Sequence, residues 1–184
     1  MDNRKAFQRL LDHAETMVQC GQEYEGLNAM TEARMQYEAA LAVLNVLAAV
    51  STVARQEAVV PLERVHGLLA CICKRKREFE QAAVHWEEQI ALQVKSCGDS
   101  ASGLVDIYVS LCDVYLHHLN KESAAKAAAE KALEILAEDG SQVCASAVFV
   151  NYYLCLCERS AGNKAAAAVA LKRALAILDV NPSI

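Results

Sequence analysis

Apolar residues recur at three- and four-residue spacing along almost the whole chain, which is the helical period. Phe7, Leu10, Leu11, Ala14, Met17 and Val18 form one such stripe and predict a first helix from about Asn3 to Cys20, broken at Gly21 with Gln22-Glu23 as the turn. A second helix is predicted from Tyr24 to about Gln56, because neither Gly nor Pro occurs between Leu27 and Val60. Its second half, from Ala39 to Val50, is apolar on nearly every side, which predicts burial on several sides, with Leu41, Leu44 and Leu47 against the following helix. The alternative is two shorter helices broken near Asn45 or Ser51-Thr52.

Pro61 suits the first turn of a third helix, where a missing amide hydrogen costs nothing, and that helix ends in the basic run Lys74 to Arg77. The fourth is predicted over Phe79–Lys95, closed by Cys97 to Ser100, and the fifth over Ser102–Leu119. Asn120 is placed as the N-cap of the sixth, Lys121–Glu138, and Asp139-Gly140-Ser141 as the next break. The seventh spans Gln142–Ser160, Ala161-Gly162-Asn163 makes a turn, and the eighth spans Lys164–Leu178 before the tail from Asp179 to Ile184. No stretch alternates apolar and polar residues long enough for a half-buried strand.

Three of these segments share an alanine-rich start. Ala82, Ala125 and Ala167 lie 43 and 42 residues apart, a helical-repeat period. One short helical hairpin cannot bury its apolar face alone, and stacking several makes a continuous core. The predicted organisation is a single helical-repeat domain over 1–184, with units at about 3–56, 61–96, 102–139 and 141–178.

Composition agrees with helix. The 184 residues are 54% hydrophobic and only 5% aromatic, with seven glycines and two prolines. A net charge of −5 argues against a nucleic-acid binder, and the one basic run reads first as cations at the negative end of a helix dipole. No uninterrupted run of eighteen apolar residues is present, so no membrane span is expected. The eight cysteines lie mostly among Leu, Ile and Ala, and the amino terminus is not an apolar export segment. Free thiols in the cytoplasm are expected.

The pairs resemble tetratricopeptide repeats, particularly the longer units of about 42 residues in kinesin light chain. The residues that carry the likeness are Leu111, Cys112 and Tyr115 followed by Ala124 or Ala125, Ala128 or Ala129, and Ala132, and Leu154 and Cys155 followed by Gly162, Ala167, Leu171 and Ala174. Leu69, Ala70, Cys73, Phe79, Ala82 and Trp86 form a second unit; Ala14, Met17, Gly21, Gly26, Met30 and Ala33 form the first. The third unit's turn is one residue longer than the pattern, and the first two units are spaced by about 56 residues. The resemblance implies an all-α, right-handed α-solenoid of antiparallel helix pairs whose first helices line a concave face that holds a protein or peptide.

On those first helices the candidate partner-binding residues are Lys74, Arg75, Asp113, His117, Tyr152 and Arg159. The asparagines with which some family members clamp a peptide carboxylate have no counterpart; the matching positions are Glu15, Cys71, Asp113 and Leu156. Cys71-x-Cys73 and Cys155-x-Cys157 are poor chelators, since residues two apart point to opposite sides of a helix. No metal, cofactor or catalytic motif is expected. The single tryptophan, Trp86, reads as core. The expected function is a scaffold or adaptor that binds a protein segment; the alternative is a building block of a homo-oligomer or larger assembly, favoured by the apolar second helix and by Ala165, Val169, Leu171, Leu175 and Ile177 on the last one.

Overall fold

A computed structural model describes residues 3–97, 103–138 and 144–180. Among them are eight α-helices and no strand: α1 Asn3–Gly26, α2 Met30–Val50, α3 Thr52–Arg75, α4 Phe79–Cys97, α5 Gly103–His117, α6 Glu122–Glu138, α7 Ala145–Ser160 and α8 Lys164–Val180. The expected breaks at Gly98–Ser100 and Asp139–Ser141, the starts at Ser102 and Gln142, and the tail Asn181–Ile184 lie outside the described residues. The chain divides into two compact units, 1–96 and 97–184. No helix is long and apolar enough to cross a membrane among the described residues.

Each unit is two helix pairs. In the first, α1 packs on α2, α2 on α3 and α1 on α3; in the second, α5 packs on α6, α6 on α7 and α5 on α7, with α8 on α7. The first helix of one pair therefore meets both helices of its neighbour, so each pair covers the apolar face that the other cannot bury alone. The core of the first unit gathers Ala14, Val18, Tyr37, Leu44, Val65 and Leu69.

The four hairpins share one turn. Asn28, Arg77, Asn120 and Gly162 all have positive φ, between 52° and 80°. In each case a buried alanine follows five residues later: Ala33, Ala82, Ala125 and Ala167. Each of these alanines donates its amide to the carbonyl four residues back, at 3.0 Å, closing the first turn of the second helix. Three of the turns are tied alike: the left-handed residue donates to the carbonyl three back and its successor to the carbonyl five back, as in Glu78 N–H to Cys73 O at 2.8 Å. The turn at Asn120 is one residue longer, as the sequence predicts, with Lys121 donating to Tyr115 O six residues back. The left-handed conformation satisfies carbonyls that the helix end leaves bare.

Four expectations for the first half are corrected. Gly21 does not end the first helix; it lies inside α1, and the turn comes seven residues later at Asn28. Its role is packing: a Cβ there would sit 2.3 Å from the Tyr37 ring, so glycine is what lets α2 approach. The long spine helix does not form either. Ser51 takes an extended conformation and its hydroxyl accepts from Ala54 N–H at 3.1 Å, capping α3 and separating it from α2. Leu44 and Leu47 are buried, but Val46 and Val50 stay exposed, so the apolar stretch is covered on one side only. Pro61 consequently lies inside α3 rather than in its first turn.

Asn120, expected as an N-cap, instead supplies the left-handed turn residue, a conformation asparagine tolerates better than most. With the turns as markers, successive hairpins are 49, 43 and 42 residues apart. The longest interval exceeds 42 by seven residues, close to two helical turns, which keeps the buried face in phase. α1 and α3 take up that length, at 24 residues each against 15 and 16 for α5 and α7.

Candidate functional site

The six candidate residues fall in different units. Lys74 and Arg75 belong to the last turn of α3, and Asp113, His117, Tyr152 and Arg159 to α5 and α7.

Around α3, most of the guanidinium charge is engaged within the unit. Arg75 reaches Glu25 of α1 at 2.9 Å, and Arg64 reaches Glu15 at 2.7 Å. Glu25 also accepts the Tyr37 hydroxyl at 2.8 Å, and burial of that phenol pushes its pKa well up. Arg34 of α2 binds Glu38, Glu78 and Gln81, tying α2 to the turn that opens α4. The Lys74 ammonium lies 5.9 Å from the centroid of the Trp86 ring, which is buried as core. The basic run is thus a clasp on α1 and α4 as well as a charged surface.

His66 and His85 bring their Nδ1 atoms to 3.1 Å between α3 and α4. One ring must donate and the other accept, which requires the accepting ring to be neutral. Burial lowers both pKa values, and for His85 the neighbouring His66 adds to it.

Three of the four α5 and α7 candidates converge on a residue that sequence reasoning passed over, Tyr153. Its hydroxyl donates to Asp113 at 3.4 Å; its ring lies 6.0 Å from His117 and 5.7 Å from Tyr152. Tyr153 is buried and its pKa is raised, first by desolvation and then by the Asp113 charge. Tyr152 is 44% exposed and Phe149, one turn before it on the same helix, 52%. His117 and Arg159 are exposed as well. The result is an aromatic surface patch edged by a carboxylate and an imidazole, on the first helices of two adjacent pairs.

Glu158 of α7 is buried yet paired. Lys126 of α6 reaches it at 2.7 Å and Asn163 donates to its other oxygen at 2.7 Å, which lowers its pKa. The Cys112 thiol, fully buried, lies 3.3 Å from the Ala125 carbonyl oxygen, and burial pushes its pKa up to about 12. The cysteines whose side chains are described are all free. Cys73 and Cys157 are buried while Cys71 and Cys155 are not, so the two partners in each Cys-x-Cys point apart. Among the described residues no three His, Cys, Asp or Glu side chains are grouped to hold a metal.

With the turns as register, the first-pair residue matching Cys71 and Leu156 is Gln22, not Glu15. Gln22 accepts from Arg64 at 3.4 Å, and the clamp asparagines still have no counterpart.

No family model matches the chain, and no curated protein sequence does. Solved structures match its fold. BtubC (BKLC) from P. vanneervenii superposes with a TM-score of 0.73 at 22% identity over 93% of this chain and 65% of its own. RapI superposes with a TM-score of 0.75 at 15% identity over 94% of this chain and 44% of its own. The chain thus spans less than two thirds of either protein. A Podosopora anserina protein of nearly identical kinesin-light-chain TPR-like repeats superposes with a TM-score of 0.53 at 18% identity, over 92% and 97% of the two chains. At these identities the likeness is one of fold: the chain is an all-α array of antiparallel helix pairs of the TPR-like α-solenoid class.

Proposed function

We propose that the chain is a non-catalytic tetratricopeptide-type adaptor module that holds a segment of another protein in the cytoplasm. In each unit the proposed contact face is the one lined by the first helices of its pairs, α1 and α3 in the first unit and α5 and α7 in the second; in tetratricopeptide arrays the first helices line the concave face. The observation that carries the reading is the exposed aromatic pair Phe149 and Tyr152 on α7, with the Tyr152 ring next to Tyr153, which in turn contacts Asp113 and His117. Exposed aromatics with a polar rim are the residue types that anchor protein interfaces. Arg159 extends that patch, while Lys74 and Arg75 offer a separate basic contact for an acidic stretch of the ligand.

Affinity purification from cytosol with crosslink mapping tests this. The expected result is a reproducible protein partner crosslinked to α5 and α7, lost in Tyr152→Ala with the melting temperature unchanged. Tyr152 serves better than Arg75 here, because Arg75→Glu would also break the link to Glu25. Crosslinks confined to other faces, or no reproducible partner, would refute the assignment.

A second reading, a subunit of a larger assembly, has its own observation. α8 buries only Ala167, Ala170 and Ala174 and leaves Val169, Leu171, Leu175 and Val180 exposed. Light scattering across a wide concentration range separates the two: a monomer throughout excludes self-assembly.

A further inference from the structure

Two imidazoles from different helices face each other in the first unit, apart from the Tyr152 patch. His66 of α3 and His85 of α4 stand with their Nδ1 atoms 3.1 Å apart, the rings tilted by 50° and their centroids separated by 5.3 Å. Both are half-buried, so solvent reaches them. The two helices lie close along this stretch. Gly67, next to His66, leaves the space that the Gln89 amide fills, 3.0 Å from where a Cβ would stand.

That separation is the bite of a chelate. At the usual zinc–imidazole bond of about 2.0–2.1 Å, nitrogens 3.1 Å apart subtend an angle of about 100° at the metal, close to tetrahedral. A hydrogen-bonded pair shares one proton between two lone pairs, whereas an ion set to one side of the N–N line takes both. Burial favours the neutral rings, the form that coordinates a metal. The nearby charge also suits a cation. Glu88, one turn after His85 on α4, acts on both rings, is exposed and makes no ion pair among the described residues. Glu38 acts on His85 too. Arg34 acts against a cation there, and its own charge is answered by Glu38 and Glu78, which it binds.

We propose that His66 and His85 chelate a divalent transition ion of the zinc class through their Nδ1 atoms, with the Glu88 carboxylate turning in as third ligand and water completing the shell. As the side chains stand, the three are not gathered into one site. A rotamer change at Glu88 gathers them, because residues three apart share a helix face. The donating ring changes tautomer: its proton leaves Nδ1, solvent supplies one to Nε2, and no net proton is released. The ion clasps α3 to α4 within the second hairpin, independently of the adaptor reading.

The probe is ZnCl₂, titrated at pH 7.5 into the ¹⁵N-labelled full chain and followed by NMR of the imidazole nitrogens. Expected is a joint shift of the His66 and His85 rings, complete at one equivalent, before His13, His117 or His118 responds. His66→Gln and His85→Gln should each weaken binding by at least about tenfold, and Glu88→Gln by less. MgCl₂, whose ion prefers oxygen ligands, should leave the rings unshifted. Zinc should raise the urea midpoint of the wild type but not of His85→Gln, each protein being compared with itself without zinc, since the variant also lacks the bond between the rings. Glu88→Gln, at an exposed position, tests the site with the fold intact.

Rings that do not shift, or binding that survives loss of both histidines, overturns the proposal. So does zinc binding that is abolished by Cys71→Ser, which removes an exposed thiol. An affinity unchanged by Glu88→Gln overturns the part given to the carboxylate.

Discussion

Replacing Gly21 by alanine isolates a contact that helix propensity alone would misjudge. In the middle of α1, alanine is favoured over glycine by about 1 kcal/mol, so on local grounds the substitution should stabilise the protein. The new Cβ, however, would lie 2.3, 2.7 and 2.9 Å from three carbons of the Tyr37 ring. Unstrained carbons meet at about 3.5–4.0 Å, so the ring or the helix must shift by roughly 1 Å. Tyr37 has little freedom to do so: it is fully buried and its hydroxyl is held by Glu25. Overpacking a tight site costs about 1–3 kcal/mol, and losing the tyrosine hydrogen bond adds about 1 kcal/mol.

Set against the propensity gain, Gly21→Ala should destabilise by about 1–3 kcal/mol. Gly26, at the end of the same helix, has nothing within 4 Å of its Cβ position, so Gly26→Ala should be neutral or stabilising by up to about 1 kcal/mol. Urea denaturation followed by Trp86 fluorescence reads the first unit, where the only tryptophan resides. Tyr37→Leu makes room, so the two changes together should cost at least about 1 kcal/mol less than their sum. A Gly21→Ala protein as stable as the wild type, with no coupling to position 37, would refute the close-approach account.

Three other outcomes are expected. Arg77 holds φ at 63°, so Arg77→Gly should raise the urea midpoint by the equivalent of about 1 kcal/mol, and a loss would show that the arginine side chain matters more than the turn. Trp86→Ala should cost about 3–5 kcal/mol; near-wild-type stability would contradict its place in the core. The His66–His85 pair should make stability pH-dependent. Both folded pKa values are below the usual imidazole value, so the unfolded chain binds more protons near and below pH 6.5 and stability falls as pH drops through that range. Urea midpoints at pH 7.5, 6.5 and 5.5 should decline for the wild type and stay flat when both histidines are glutamine.

The helical class and the repeat were legible because they rest on a feature that recurs. Ala82, Ala125 and Ala167 mark the same structural position in three hairpins, where only a small side chain fits the approach of the neighbouring helix. The first hairpin escaped because its signs conflict. Gly21 looks like a break and is a contact, whereas Asn28 makes the turn without a glycine. The division at Ser51 was open among the alternatives, and one hydroxyl decided it against a run of helix-favouring residues. Tyr153 and Asn151 were illegible for another reason: their burial depends on which side of α7 meets α5, α6 and α8, and an apolar helix sequence such as α7 does not declare its faces.

That same ambiguity bears on a cavity of about 880 Å³ lined by α6, α7 and α8. An alanine-rich interface draws helices close along a narrow strip and leaves the larger apolar residues outside it. On α8 the buried alanines end at Ala174, and the following residues Ala176, Ile177 and Val180 line the cavity instead of filling it. α6 behaves alike: Ala125, Ala128, Ala129 and Ala132 are buried along its first half, and Leu133, Leu136 and Ala137 border the opening. Where the small residues stop the cavity opens, with Ala147 and Asn151 of α7 also among its lining residues. A valine or leucine at position 151 would have completed a dry wall there. Asparagine instead keeps an acceptor, Oδ1, that has no donor among the described residues and is enclosed by its own surroundings rather than open to the cavity.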